Sequence, residues 1–285
     1  EYHKLLNSST FSEIGFGTLK YHASKHSFKG AVKRFFFNGK SYAMQNKVGV
    51  IPLPNESAVR QHLMKLDVPK ENIAGLVCDI REHQYVNYIG SLAGYPIGLH
   101  RFNEFTFLVT NGPKIIQAQK GDWTFIKDFL SGLLNEKVYP EQLYCFMQLL
   151  ALARKSVKEH KWRQIPALAF AGGRGDGKSL AIELIRLCLG GRSQNGYSFF
   201  SGDKTFNLEM AGAELIVIDD EPVSRNVNAR RRLAQALKTN QFSGGIRVEG
   251  KNRDPIMARL IQLVVMAVNC DPEELRTLPE LGNGM

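Results

Sequence analysis

A glycine-rich segment between two apolar stretches carries residue types that bind phosphate. Residues 172–179 read Gly-Gly-Arg-Gly-Asp-Gly-Lys-Ser, after the apolar run Ile165–Ala171 and before the helix-forming run Leu180–Leu189. Glycines let backbone N–H groups converge on phosphate oxygens because no Cβ obstructs the approach. A strand, this loop and a helix in that order are the pattern of a nucleoside triphosphate site.

The residues of this loop have separate expected roles. Lys178 is expected to contact the β- and γ-phosphates, and the Ser179 hydroxyl is expected to complete the coordination of a magnesium ion. The helix N-terminus adds partial positive charge. The residues predicted to contact the nucleotide are Gly172, Gly173, Arg174, Gly175, Asp176, Gly177, Lys178, Ser179 and Leu180. ATP and Mg²⁺ are therefore the expected cofactors, and the chain is expected to be an ATPase.

Three acidic residues follow a second apolar run. Leu215–Ile218 is followed directly by Asp219, Asp220 and Glu221. A buried strand that ends in carboxylates places them at its carboxyl end, beside the phosphate loop. Counting from the apolar run makes Asp219 the metal ligand and Asp220 the general base that polarises the attacking water. A shift by one residue gives these roles to Asp220 and Glu221, and the sequence leaves both assignments open.

A polar residue ends a third apolar run. Leu263–Val268 predicts a strand, and Asn269 follows it. An amide at a strand tip beside the acids can hydrogen-bond the γ-phosphate or orient the attacking water. The alternative is a simple turn or cap residue. The position of Asn269 in the series favours the catalytic interpretation.

The elements that must position these residues lie in the last part of the chain. From residue 161 onward, β-type runs alternate with helical stretches, which predicts a parallel sheet with crossover helices. The expected fold class is α/β: a P-loop NTPase sheet, similar to that of AAA+ proteins, with flanking helices over residues 161–285. Residues 119–160 contain two amphipathic stretches, Trp123–Leu134 and the run after Pro140, and are expected to form a helical collar.

The region before the collar, residues 1–118, is expected to be a smaller mixed α+β region of unassigned role. It contains β-type runs at Ala31–Phe37 and Phe105–Thr110, and a helix is predicted from Glu56 to about Leu66.

The amino-acid composition indicates some classes of protein and excludes others. The 285 residues are 44% hydrophobic and 22% charged, as in ordinary globular proteins. The 37 basic and 27 acidic residues give a net charge of +10, which favours a polyanionic partner such as nucleic acid. No run reaches ~18 apolar residues, so a membrane-spanning helix is not expected. The four cysteines share no short spacing, which fits a reducing compartment such as the cytoplasm.

The series Lys178, Asp219/Asp220 and Asn269 resembles the superfamily 3 helicases of viruses and mobile elements, within the AAA+ class. It looks closest to the primase-helicase ATPases of phages and large DNA viruses, and the resemblance covers roughly residues 120–285. It implies an ATP-dependent DNA helicase or translocase of viral, phage or mobile-element replication, working as a hexamer with ATP at subunit interfaces. It also implies a primase or polymerase module on the same longer chain, in the host cytoplasm or at a viral replication site.

The segment Gln241–Arg253 resembles an additional motif of that superfamily, a β-hairpin that faces the central channel. The pair Gly244-Gly245 followed by alternating apolar and charged residues is typical of a hairpin in its own right. The resemblance implies that single-stranded DNA or a forked duplex is the partner; a basic surface loop is the alternative. The implied nucleic-acid contacts are Lys238, Lys251, Asn252 and Arg253, with Lys251 and Arg253 near the tip of the hairpin.

The family also supplies an arginine to the ATP of the neighbouring subunit, a short way beyond the asparagine motif. Sixteen residues follow Asn269, and the one arginine among them, Arg276, comes too soon after the strand for that role. The ATPase region is therefore expected to be truncated at its C-terminus. Two alternatives remain open: an ATP-dependent replication initiator or loader that does not unwind DNA, and a P-loop kinase or ATPase that acts on a small molecule.

Overall fold

The computed structural model describes residues 32–219, 232, 233, 235, 245–271 and 275. They form two compact units, one that ends at Ile89 and one that begins at Gly90. The predicted division of the chain at residues 118 and 160 stays a prediction. Among the described residues, none of the helices combines the length and the apolar character that crossing a membrane requires.

The first unit is a small antiparallel sheet with two helices. Its elements are β1 (Phe35–Phe37), β2 (Tyr42–Gln45), β3 (Val50–Leu53), α1 (Glu56–Lys65) and α2 (Lys70–His83). The helix predicted from Glu56 is confirmed, and the Asn55 side chain caps it by accepting a hydrogen bond from the Ala58 N–H at 3.0 Å. The strand predicted over Ala31–Phe37 is confirmed only from Phe35, because Val32 lies in a helical turn and the next two residues form an exposed turn.

The second unit begins with strands that the sequence indicated only in part. β4 (Tyr88–Gly90) spans the boundary between the units, and β5 (Gly98–Phe102) pairs antiparallel with β6 (Phe105–Val109). The two-residue turn between them contains Asn103 with φ +52°, a conformation that asparagine tolerates in hairpin turns. The prediction of a strand at Phe105 is confirmed.

Two long helices follow, as predicted: α3 (Thr124–Leu133) and α4 (Pro140–Lys158). Their apolar faces share one hydrophobic core with the sheet that comes after them. Leu130 of α3 and Phe146 of α4 are buried in the same cluster as Ile185 and Leu263. The two helices therefore flank the sheet directly.

The centre of the second unit is a parallel sheet. Its strands among the described residues are β7 (Leu168–Gly172), β8 (Ser193–Asn195), β9 (Leu215–Ile218) and β12 (Leu263–Asn269), in the order β7-β12-β9-β8, with helix α5 (Lys178–Cys188) after β7. All three pairings are parallel. Because β12 lies between β7 and β9, the carboxyl ends of these three strands are neighbours. The predicted mixed α/β architecture, a parallel sheet with flanking helices, is confirmed.

Four smaller elements of the second unit are also described. Helices α6 (Tyr197–Phe200) and α7 (Leu208–Ala211) lie between β8 and β9 along the chain. Strands β10 (Ile246–Val248) and β11 (Ile256–Ala258) form an antiparallel hairpin between β9 and β12.

Candidate functional site

The glycine-rich loop between β7 and α5 depends on backbone conformations that favour glycine. Gly175 has φ +89° and Gly177 has φ +95°, both in the left-handed region. Gly177 is also crowded: a Cβ added there would lie 2.8 Å from Cε2 of Phe129, which belongs to α3. Helix α3 therefore lies directly against the loop at the start of α5.

The first two glycines of the loop lie under a carboxylate. A Cβ on Gly172 would be 2.8 Å from Oδ2 of Asp176, and one on Gly173 would be 3.2 Å from the same atom. Glycine at these positions lets the loop fold tightly back on itself. The Asp176 N–H also donates to the Gly173 carbonyl at 3.4 Å.

Lys178 is buried at the first position of α5, with 8% of its surface exposed. Its ammonium group donates to the carbonyl oxygens of Gly172 at 3.0 Å and Gly173 at 2.8 Å, and to Oδ1 of Asn269 at 3.2 Å. An ammonium group has three N–H donors, and these three oxygens match them. A buried charge requires such partners. The structure thus brings together Lys178 and Asn269, which are 91 residues apart in sequence.

The position of Asn269 follows from the sheet register. Asn269 at the end of β12 is aligned with Gly172 at the end of β7, and the Cys270 N–H donates to the Gly172 carbonyl at 3.2 Å. This bond ties the tip of β12 to the beginning of the loop. The amide of Asn269 therefore meets the Lys178 ammonium group.

Ser179 and Asp219 form the second contact between predicted site residues. The Ser179 hydroxyl donates to Oδ2 of Asp219 at 3.5 Å, a long hydrogen bond. Hydroxyl and carboxylate oxygens are ligands that Mg²⁺ accepts, and in nucleotide sites the ion takes one or two of them together with phosphate oxygens. In the described part of the chain, no three His, Cys, Asp or Glu side chains gather to hold a metal by themselves. The donor chemistry of the pair therefore fits a magnesium ion bound together with a nucleotide.

Asp220, Glu221, Lys238 and Arg276 lie outside the described residues. The choice between Asp220 and Glu221 as general base thus stays open.

The basic residues of the predicted hairpin lie in the connection between β10 and β11. Lys251, Asn252 and Arg253 are all exposed there, and Asn252 adopts φ +56°. The predicted hairpin is confirmed for this part of the segment, with Lys251 and Arg253 near its tip, as the resemblance implied. The second strand of the hairpin, β11, covers residues 256–258 and lies beyond the predicted segment.

Sequence reasoning missed Asn207, which bonds this hairpin to the segment that leads into β9. Asn207, which is 6% exposed, donates from Nδ2 to the Arg247 carbonyl at 2.9 Å and accepts from the Glu249 N–H at 2.7 Å. The Glu249 carbonyl in turn accepts the N–H groups of Asn207 and Leu208, both at 3.1 Å. Asn207 precedes α7, and α7 leads into β9, which ends at Asp219. The hairpin is therefore bonded to the segment that enters the acid-bearing strand.

A buried ion pair, also missed, fixes the other end of β9. Glu214 is fully buried; its carboxylate accepts from Nε of Arg192 at 2.8 Å, pairs with Nη2 of the same residue, and accepts from the Gly94 N–H at 2.9 Å. Arg192 also donates to the Asn111 carbonyl at 2.7 Å. These bonds tie the chain around residues 94 and 111 to the amino end of β9. A lone Glu before an apolar run has no sequence signature that would identify such a pair.

A family model matches the part of the chain that contains the glycine-rich loop. A family of unknown function, DUF5906, matches residues 170–279, a range that begins in β7 and extends beyond β12. No curated protein matches.

Among solved structures, two apo structures of the NrS-1 C-terminal region are similar, with 16% sequence identity and a TM-score of 0.54 each. They are matched over 82% of this chain and over 54% and 53% of theirs, and a third structure of the same region has a TM-score of 0.53. This chain spans about half the length of those structures. At 16% identity, the similarity to the NrS-1 C-terminal region concerns the fold alone.

Proposed function

We propose that this chain is a Mg²⁺-dependent ATPase of the P-loop, AAA+-like type. The observation that supports it most is the meeting of three strand ends at one edge of the sheet: Lys178 Nζ lies 3.2 Å from Oδ1 of Asn269, and the neighbouring Ser179 hydroxyl lies 3.5 Å from Asp219. In open parallel sheets, ligands bind at the carboxyl ends of the strands. Residues that are far apart in sequence meet here in the combination that a nucleotide site needs.

Each side chain has a role in this proposal. The loop N–H groups and the N-terminus of α5 bind the phosphates, and Lys178 exchanges its carbonyl partners for phosphate oxygens. Ser179 and Asp219 hold the magnesium ion, which neutralises charge on the phosphates. Asn269 hydrogen-bonds the γ-phosphate or the attacking water, and an acid directly after Asp219 accepts the proton of that water.

The partner in this proposal is single-stranded DNA or a forked duplex. The β10–β11 hairpin exposes Lys251 and Arg253 in its turn, and the chain carries a net charge of +10. Basic residues on an exposed turn neutralise backbone phosphates and release counterions. With the resemblance to superfamily 3 helicases, these features support a DNA helicase or translocase of viral, phage or mobile-element replication. It would act as a hexamer with ATP between subunits, alongside a primase or polymerase module.

The test is ATP turnover with and without single-stranded DNA, in the native chain and in a Lys251→Ala/Arg253→Ala variant. We expect DNA to stimulate turnover in the native chain. The double variant should keep basal turnover and lose most of the stimulation. Its DNA affinity should depend less on salt, with the slope of log affinity against log salt smaller by about 1.4, or ~0.7 for each lost phosphate contact.

A matched control replaces two exposed lysines of the first unit, Lys65→Ala/Lys70→Ala, and should behave as the native chain. ATP turnover that is the same with and without DNA would instead support an enzyme acting on a small molecule. DNA-stimulated turnover without unwinding of a forked duplex would support an initiator or loader.

A further inference from the structure

Three residues from separate segments of the second unit form a cluster that the site above does not use. The guanidinium carbon of Arg259 lies 5.2 Å from the ring centroid of Phe102 and 5.6 Å from that of Trp162. Phe102 ends β5, Trp162 follows α4, and Arg259 follows β11. Arg259 is exposed and both rings are partly exposed, so the Arg259 cluster lies at the surface of the unit.

Tyr95 contacts the backbone of the cluster at Arg259. The Tyr95 hydroxyl accepts a hydrogen bond from the backbone N–H of Arg259. Burial raises the pKa of the Tyr95 hydroxyl, and Arg259 partly offsets this rise. The Tyr95 ring packs edge-on against Phe107, with 5.7 Å between centroids. These contacts fix the backbone from which the Arg259 side chain extends.

The cluster is continuous with the basic hairpin. The Phe102 ring packs on Gly245, the residue that precedes β10, so closely that a Cβ there would lie 3.1 Å from Cε1 of the ring. Arg259 directly follows β11, the other strand of the same hairpin. The Arg259 cluster therefore lies at the open end of the hairpin, and Lys251 and Arg253 lie in its turn.

The chemistry of the cluster suits single-stranded nucleic acid. An aromatic ring stacks on a base of any identity, and a guanidinium group stacked on rings still presents N–H donors along its edge to a phosphate. Other basic residues flank both rings in sequence: Arg101 precedes Phe102, and Lys161 and Arg163 lie on either side of Trp162. Arg163 forms an ion pair with Glu159, so part of the positive charge near Trp162 is neutralised.

We propose that Phe102, Trp162 and Arg259 form a stacking site for a base and its neighbouring phosphate in a single strand of nucleic acid. The stacking site lies at the open end of the hairpin. It extends the path of the bound nucleic acid beyond the hairpin turn. The inference rests on the proposed nucleic-acid partner, but not on the hydrolysis of ATP.

The experiment uses the fluorescence of Trp162. The chain has two tryptophans, and a Trp123→Phe variant leaves Trp162 as the single fluorophore. The probes are an oligothymidylate of about 16 nucleotides, the upper range of single-strand sites, and an abasic oligonucleotide of equal length with the same phosphates. We expect the oligothymidylate to quench Trp162 in a saturable manner and the abasic strand to bind without comparable quenching, because only the former has bases that stack.

Affinity in three arginine variants gives the second readout. Arg259→Ala should weaken oligothymidylate binding about tenfold, the loss of roughly one stacked contact. Arg259→Lys should recover part of that loss, since it keeps the charge but not the planar group. The matched control is Arg81→Ala in the first unit, which removes a guanidinium group that also lies over two rings, Phe37 at 5.8 Å and Tyr42 at 6.0 Å. It should leave the affinity unchanged.

Absent quenching, equal quenching by the abasic strand, or native affinity in Arg259→Ala would each overturn the stacking site. A fall in thermal stability of Arg259→Ala with native affinity would give the cluster a structural role only, and would overturn it as well. If the Lys251→Ala/Arg253→Ala variant loses affinity in the same assay, the proposed function survives that failure. If the native chain binds neither strand, both the stacking site and the proposed DNA partner are wrong.

Discussion

Substitution of Gly177 by alanine tests the close approach of α3 to the glycine-rich loop. At φ +95° an L-residue bears a conformational cost of about 1–2 kcal/mol. The new methyl group would also lie 2.8 Å from Cε2 and 3.2 Å from Cζ of Phe129, and an overpacked contact of this kind costs about 1–3 kcal/mol. The sum predicts that Gly177→Ala lowers the free energy of unfolding by about 2–5 kcal/mol.

The same loop provides the matched control. Gly175 has nearly the same conformation, φ +89°, but a Cβ there would meet nothing within 4 Å. Gly175→Ala should therefore show only the conformational cost, about 1–2 kcal/mol. In a Phe129→Leu background the difference between the two glycine variants should shrink, because the ring that causes the clash is gone.

The assay is urea unfolding followed by tryptophan fluorescence. Both tryptophans, Trp123 and Trp162, belong to the second unit, so the signal reports on the part of the chain that contains the loop. Equal destabilisation by Gly175→Ala and Gly177→Ala, or an unchanged difference in the Phe129→Leu background, would refute the steric argument.

Three further substitutions test other contacts. Asn269→Ala removes one of the three oxygens around Lys178 Nζ, and should lower ATP turnover by about tenfold in steady-state assays, since a hydrogen bond to a charged group contributes ~1.5–3 kcal/mol; native turnover would count against its role. Asn207→Ala removes two hydrogen bonds to the hairpin, and should reduce the ratio of DNA-stimulated to basal turnover while basal turnover persists. An unchanged ratio would show that Asn207 does not couple the hairpin to β9. Arg192→Met leaves the Glu214 carboxylate buried without its ion pair, and should lower the free energy of unfolding by about 3–5 kcal/mol in urea titrations, with partial recovery on adding Glu214→Gln; an unchanged midpoint would contradict the pair's role.

The strands and helices around the site could be predicted from local sequence. Leu215–Ile218 is a strand with the bounds expected from its apolar run. The strand expected from Ile165 begins only at Leu168, and Pro166 in the preceding residues lacks the N–H that a ladder requires. Helix α5 begins at Lys178 rather than Leu180, because Gly177 already provides the N-cap position.

Other features depend on the fold and have little local signal. The placement of β12 between β7 and β9 is a matter of chain topology, and it is what brings Asn269 to Lys178. The bonds of Asn207 to the hairpin cross 40 residues or more. Helix α2 is different: Ile73, Leu76, Val77 and Ile80 are buried at the spacing of an amphipathic helix, so its pattern was available in the sequence.

In the proposed site, the loop from Gly172 to Ser179 binds a nucleoside triphosphate through Lys178. The most direct measurement is the equilibrium binding of a fluorescent ATP analogue, with Mg²⁺, to the native chain and to Lys178→Ala. The exposed Lys127 provides a matched control as Lys127→Ala. We predict saturable binding by the native chain and by Lys127→Ala, and a loss of at least about tenfold in affinity for Lys178→Ala, since a charge-assisted contact contributes ~1.5–3 kcal/mol. An affinity of Lys178→Ala equal to that of the native chain, or no binding by the native chain, would contradict a nucleotide site at this loop.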